Sequence, residues 1–299
     1  MKRRQALATV ILASLFSAGC GVHVADPSLE MRLLRDQSAE AERGARPWEE
    51  VRERAKRLCR ARQPDLDGAW HVRAQAARRL GALAETHHCL ERYIELRPYA
   101  PEIVDAARAQ YEMASEAMDR GEKELPGRGL GHGDTALPEV LEACVRHAPF
   151  SGFAADARMR LGEFHARAGR HDRAAAAFGE VRERDFSHPD APSAQLRLAQ
   201  ELLAMEKDLP YSEVRLARIR DSLQGVIDRV GEGALAEAAR ASLEEIRLVR
   251  SRHRYDVGRL YARWKRPAAA TLYRAHLMEE FPDSRWAERA RAEGFGSGG

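Results

Sequence analysis

Residues 155–189, ADARMRLGEFHARAGRHDRAAAAFGEVRERDFSHP, read as two short helices folded back on each other. No alternation of apolar and polar residues with a period of two runs through this stretch, and Ala, Leu, Glu and Arg favour helix throughout. Leu161 and Gly162 form a close-packing pair on the first helix, Gly169 supplies the turn, and Ala174 is small where the second helix crosses. Phe178 is the core knob and Pro189 closes the unit. Small side chains at Gly162 and Ala174 let the two backbones approach, so Phe178 fills a slot and not an open face. A single pair of this kind cannot bury its apolar side alone, and therefore has to stack on neighbours.

The same grammar recurs. Arg250 to Pro282 carries Val257-Gly258, Tyr261, Ala270, Tyr273 and a closing Phe281-Pro282-Asp283-Ser284. Asp67 to Pro98 carries Trp70, Ala74, Ala77, Gly81, Leu90 and Pro98 at corresponding offsets. Two degraded units lie at Ile103 to Pro149 and Ser193 to Gly231, lengthened by Pro126 to Thr135 and by Lys207 to Glu213. Leu-Gly, an aromatic, then Ala, an aromatic and Pro is the tetratricopeptide pattern. The expectation is an all-α chain, an α-solenoid over residues 47–293 in which about five helix pairs wind into a right-handed superhelix. An unrelated helical bundle is the alternative. Leu161, Gly162, Ala174, Phe178, Gly258, Tyr261, Ala270 and Pro282 are the expected packing positions, and Ala234 to Trp264 reads as a broken or bent helix.

With 299 residues, 32% charged and 6% aromatic, the chain has material for two domains or one elongated array. Its net charge is only +3, and acidic residues interleave with the arginines along helix faces, which argues against a nucleic-acid surface. The first twenty residues, MKRRQALATVILASLFSAGC, hold a positive segment at Lys2, Arg3 and Arg4 and an apolar run from Ala6 to Ala18. That run is shorter than the roughly 20 residues needed to span a bilayer, and it reads as a signal peptide over residues 1–19. Phe16-Ser17-Ala18-Gly19-Cys20 resembles the bacterial lipobox, which makes Cys20 the lipidation site and the first residue after cleavage; a plain secretory signal is the alternative. Gly21 after the Cys implies the outer membrane, with the body facing the periplasm. Residues 20–46, polar and carrying Pro27 and Gly44, read as an acylated linker with at most one short helix, and residues 294–299 as a flexible tail. Beyond Cys20, Cys59, Cys89 and Cys144 each lie in an apolar helical context as small buried hydrophobes, with a Cys59–Cys89 bridge as the alternative.

The segment Arg252 to Ser284, RHRYDVGRLYARWKRPAAATLYRAHLMEEFPDS, resembles the D-subunit lipoprotein family of the outer-membrane β-barrel assembly machinery, through Val257-Gly258, Tyr261, Pro267-Ala268-Ala269 and Glu279-Glu280-Phe281-Pro282-Asp283-Ser284. The likeness covers about residues 137–293, more weakly 47–123, and includes the lipobox. Lys265-Arg266 departs from it, standing where a turn glycine is common. The resemblance implies a lipid-anchored scaffold that holds the barrel-forming subunit and incoming barrel polypeptides.

No nucleophile elbow, phosphate loop or zinc-protease helix occurs, and neither enzyme activity, cofactor nor metal is expected. Gly127 to Gly133 is glycine-rich but lacks a following Lys-Ser/Thr, and His87-His88-Cys89 are adjacent residues that a helix turns about 100° apart. Function is expected in surfaces. By repeat offset, Met159, Glu163, Tyr255 and Arg259 should line a groove on the first helices, able to take an extended peptide or a partner helix. The expected partners are the barrel-assembly subunit or other envelope proteins, and the membrane through the anchor. A general adaptor for cell-wall or secretion machinery is the second reading.

Overall fold

The computed structural model describes residues 23–125, 135–206 and 211–294. Cys20, the signal segment, most of the Pro126–Thr135 and Lys207–Glu213 insertions, and the tail from residue 295 lie outside the described residues. Among the described residues the chain is all-α, with thirteen α-helices and one two-residue β-ladder. The chain divides into two compact units, Met1–Ala157 and Arg158–Gly299.

The first unit contains α1 (Pro27–Glu42), α2 (Trp48–Arg60), a 3-10 turn (Pro64–Leu66), α3 (Gly68–Arg79), α4 (Leu83–Leu96), α5 (Ile103–Asp119) and α6 (Leu137–His147). The sequence reading of residues 20–46 as linker is corrected here. Asp26 caps α1 by accepting from the Leu29 N–H at 3.0 Å, Pro27 occupies the first turn, and Met31, Leu34 and Ala41 are buried. Those three residues join Val51, Ala55, Leu58, Leu66 and Ala69 in one cluster, so α1 is part of the core. A second cluster joins α3, α4 and α5 through Ala74, Cys89, Leu90, Tyr93, Ile94, Ala106 and Met113. Between α5 and α6, Glu124–Leu125 pairs antiparallel with Thr135–Ala136, a contact that two residues a side cannot announce by alternation.

The second unit holds α7 (Ala154–Arg167), in which the division falls, then α8 (His171–Arg184), α9 (Ala191–Met205), α10 (Glu213–Val230), α11 (Ala234–Arg263), α12 (Pro267–Glu280) and α13 (Arg285–Glu293). The α7–α8 hairpin packs as its sequence requires. Gly162 faces Phe178 across the pair, Ala174 and Phe178 are fully buried, and Gly169 turns at φ +68°. Leu161 is half-buried beside them. In α11 and α12, Gly258 and Ala270 are buried, and the Tyr261 and Tyr273 rings stack at 5.5 Å. Pro282 is exposed; Phe281 before it is the buried plug. Lys265 takes the glycine's place in the α11–α12 turn at φ +55°. The expected break in Ala234 to Trp264 is absent: α11 is one helix of 30 residues, with no Pro or inserted Gly pair to bend it.

All five expected helix pairs coincide with consecutive helices, α3–α4 through α11–α12. Three helices flank the five pairs, of which α2 and α13 lie within the expected span of residues 47–293 and α1 does not. The α1–α2 pair precedes the repeats, and α13, capped by Ser284, follows them.

Candidate protein-docking site

In the second unit, of the residues expected to line a groove, Tyr255 and Arg259 are engaged within the fold, Met159 partly so, and Glu163 stays exposed. Met159 packs partly buried against Ala174, Phe178 and Leu198. Glu163 sits opposite Arg167 one turn on, at 3.7 Å, an exposed pair of small energetic weight. Tyr255 corrects the sequence reading: only 1% exposed, it lies under α13 and not on an open face. Its hydroxyl donates to the Glu293 carboxylate at 2.7 Å, and its ring lies 5.1 Å from that of Trp286. The guanidinium groups of Arg259 and Arg289 stand 5.6 and 5.5 Å from the same ring, and both also reach Glu293, at 3.3 and 2.8 Å. Burial, and then the Glu293 carboxylate, push the Tyr255 hydroxyl above its ordinary pKa, while Arg289 and Tyr255 hold Glu293 below its own. Tyr255 and Arg259 thus clamp the last helix to α11.

An open groove on first helices lies in the first unit, where α1, α3 and the end of α4 enclose about 500 Å³. Arg35 and Ser38 come from α1, His71 and Gln75 from α3, Tyr93 and Arg97 from the end of α4, and Glu102 closes one end. His71 stacks on Tyr93 at 5.1 Å, and Tyr93 donates to Glu102 at 3.0 Å. Burial lowers the His71 pKa, so its ring is neutral near pH 7 and offers an apolar face. Arg35 and Arg97 are exposed cations at the groove, while Ser38 and Gln75 offer amide-matching donors and acceptors. Glu42 and Glu102 set two carboxylates against these two cations, so the lining is balanced in charge and suits the backbone of an extended peptide, with an acidic group of it at Arg35 or Arg97. The sequence reading missed it because the groove needs α1; the signals available were the Asp26-Pro27 start and the Met31, Leu34 spacing.

Two buried polar clusters brace the first unit. Glu85, 2% exposed, accepts from Arg73 at 2.8 Å and from Arg52 at 2.6 Å, joining α2, α3 and α4. Glu91 accepts from the fully buried Gln110 at 2.7 Å and pairs with His147 at 2.8 Å and Arg146 at 3.3 Å, joining α4, α5 and α6. Burial pushes the Glu91 carboxyl up, but the bonds from His147 and Gln110 prevail and hold it at about 2. The His87-His88-Cys89 side chains separate as a helix demands: His87 meets Gln110 at 3.1 Å, His88 is exposed beside Trp70, and Cys89 is in the core. Cys59, Cys89 and Cys144 are buried thiols outside any disulfide among the described residues, and burial pushes the Cys59 and Cys89 thiols up to about 12, outside the reactive range.

The chain matches no known family model and no curated protein. Solved structures do match, at low identity. PilW, a widely conserved type IV pilus biogenesis factor, aligns at 13% identity over 89% of this chain and 98% of its own, with a TM-score of 0.30. Pseudomonas aeruginosa pilF aligns at 12% over 88% and 97%, with a TM-score of 0.32. A thermophilic TPR protein of Thermus thermophilus aligns at 18% over 73% and 99%, with a TM-score of 0.27. These likenesses stop short of a shared global arrangement, and the repeat assignment stands on the packing of this chain's own helix pairs.

Proposed function

We propose that this protein is a lipid-anchored docking scaffold of the bacterial outer membrane, facing the periplasm, which holds envelope proteins through extended segments. The observation that carries the reading is the groove of about 500 Å³ on α1 and α3, walled by Arg35, His71, Gln75 and Arg97. Helix pairs present such grooves without moving parts, and a lipidated Cys20 would confine the scaffold to one membrane. The resemblance of Arg252 to Ser284 gives the role a specific form, assembly of outer-membrane β-barrels.

A general adaptor role in cell-wall or secretion machinery is the second reading. The clamp favours it: Tyr255 and Arg259, within the segment that carries the resemblance, are spent on Glu293. Isolation of the protein from detergent-solubilised envelope, followed by mass spectrometry of what accompanies it, separates the two. The barrel-assembly subunit in comparable amount supports the first, and cell-wall or secretion proteins support the second. Arg35→Ala with Arg97→Ala should release the partner in either case. Retention of the partner by that double variant refutes the groove as its site.

A further inference from the structure

Val24, four residues from Cys20, is already fixed to the folded body. Its N–H donates to Gln63 Oε1 at 3.0 Å, and its carbonyl accepts from Gln63 Nε2 at 3.2 Å. The amide of Gln63 therefore satisfies both backbone groups of one residue, as a neighbouring strand would, and the Val24 side chain packs on the α1–α3 cluster that Trp48 and Trp70 also join. Gln63 also lines a cavity of about 640 Å³, with Leu58, Leu66, Trp70 and Leu96 among its apolar residues and Arg62 and Arg92 among its polar ones. Arg62 is held there at a φ of +51°, a conformation that L side chains rarely adopt.

Resting on the lipid-anchor reading above, we infer that this face of the first unit docks directly on the bilayer, with the 640 Å³ cavity seated among the phospholipid headgroups of the leaflet that holds Cys20. The argument is one of reach. Four residues of extended chain span at most about 14 Å, against a headgroup zone of about 5–8 Å on each side of the bilayer, so a Cys20 whose acyl chains lie in the hydrocarbon keeps Val24 within about 10 Å of the membrane surface. A body on a linker of residues 20–46 would float; a body clamped at Val24 cannot. The chemistry of the face fits that position. The half-buried indole of Trp70 in this lining is the side chain that favours the headgroup boundary, and Arg62 offers forked donors to a lipid phosphate, while Arg92 is paired with Glu95 at 2.7 Å and Asp67 adds a second carboxylate to the lining.

The test uses the full-length lipidated protein, in vesicles of phosphatidylethanolamine and phosphatidylglycerol doped with a phospholipid that carries a nitroxide on its headgroup. Mass spectrometry first establishes acylation of Cys20 in each sample. Intrinsic fluorescence should be quenched, and Trp70→Phe, checked for native helicity, should lose most of that quenching although Trp48, Trp264 and Trp286 remain. A flexible Gly-Ser insertion of about ten residues between Val22 and His23 lengthens the leash without touching the fold, and should lose it as well. Acylated protein in which wild type and Trp70→Phe quench equally, or in which the insertion changes nothing, overturns the docking and leaves the anchor standing. Protein carrying no acyl group overturns the anchor on which the inference rests.

Discussion

Two glycines in the α7–α8 hairpin should respond to the same substitution with opposite signs. Both Gly162 and Gly179 lie inside helices, and Ala is the better helix former by about 0.5–1 kcal/mol, so propensity alone makes each Gly→Ala change stabilising. Their surroundings differ. A methyl at Gly179 meets nothing within 4 Å, whereas one at Gly162 would lie 2.5, 2.7 and 2.8 Å from three atoms of the Phe178 ring. Ordinary carbon contacts lie at about 3.5–4.0 Å, so the ring must retreat by about 1 Å. Phe178 is fully buried between α7 and α9, packed with Ala174 and Leu198, and has no solvent to retreat into. Overpacking of this kind costs about 1–3 kcal/mol, which exceeds the propensity gain.

Gly162→Ala should thus lower the denaturant midpoint while Gly179→Ala raises it, with a separation equal to the overpacking cost, about 1–3 kcal/mol, at unchanged m-value. The same chemistry is introduced twice in one hairpin, so effects on the unfolded chain largely cancel. Phe178→Leu in the Gly162→Ala background should cost less than the sum of the two changes, since the shorter side chain vacates the space that the methyl needs, with a coupling of at least about 0.5 kcal/mol. Equal stabilisation by both alanines would refute the close crossing, and with it the pairing of residues 162 and 178 on which the repeat assignment stands.

Acid should weaken the first unit. Glu91 sits at about 2 against a usual 4.5, and burial draws His87 below its usual 6.5, so the unfolded chain binds more protons than the folded one between these limits. Stability is then complete above pH 6.5 and is lost as pH falls, by about 3 kcal/mol at most for Glu91; thermal scans from pH 7 to pH 3 should show the fall, and Glu91→Gln should flatten it. Glu85→Ala strands the buried Arg73 and should cost about 3–5 kcal/mol in chemical denaturation; a loss under about 1 kcal/mol would mean that water reaches the guanidinium. Lys265→Gly relieves a left-handed residue worth about 1–2 kcal/mol against a glycine entropy of about 0.5–1, so a small rise in melting temperature is expected. A fall would show that the Lys265 side chain stabilises its turn by more than the strain.

Legibility in the sequence followed packing demand. Gly162, Ala174, Phe178, Gly258 and Ala270 could be placed because a helix crossing leaves room for only a few residue types, and composition records such a constraint directly. Helix α1 was hidden for the converse reason. It buries Met31, Leu34 and Ala41 but presents arginines and acids elsewhere, so only its cap and two spaced apolar residues distinguish it from linker. Tyr255 was misread because repeat offset gives a direction from the helix axis and says nothing about what the chain later lays over that direction. The covering element, α13, comes thirty residues on and is held by Glu293, an acid with no apolar signature.

The two departures from the expected repeat array have the same physical origin and together set what the molecule can do. The first and last helix pairs of a repeat run each have an apolar face with no following neighbour, and that face needs a cap. In the second unit α13 supplies it, recruiting Tyr255 and Arg259 and so removing the residues that a partner would otherwise have met there. In the first unit the α1–α2 pair supplies it, and because α1 is a first helix of polar character, the cap creates a groove with α3 where it would otherwise have sealed one. The same cap draws Val24 onto Gln63 and leaves only Gly21, Val22 and His23 between the body and Cys20. The groove and the Val24 clamp thus belong to one piece of structure. On the proposed anchor at Cys20, a partner held at Arg35 and Arg97 would be held close to the membrane, and lengthening the leash should then cost the proposed scaffold its function even where the groove still binds.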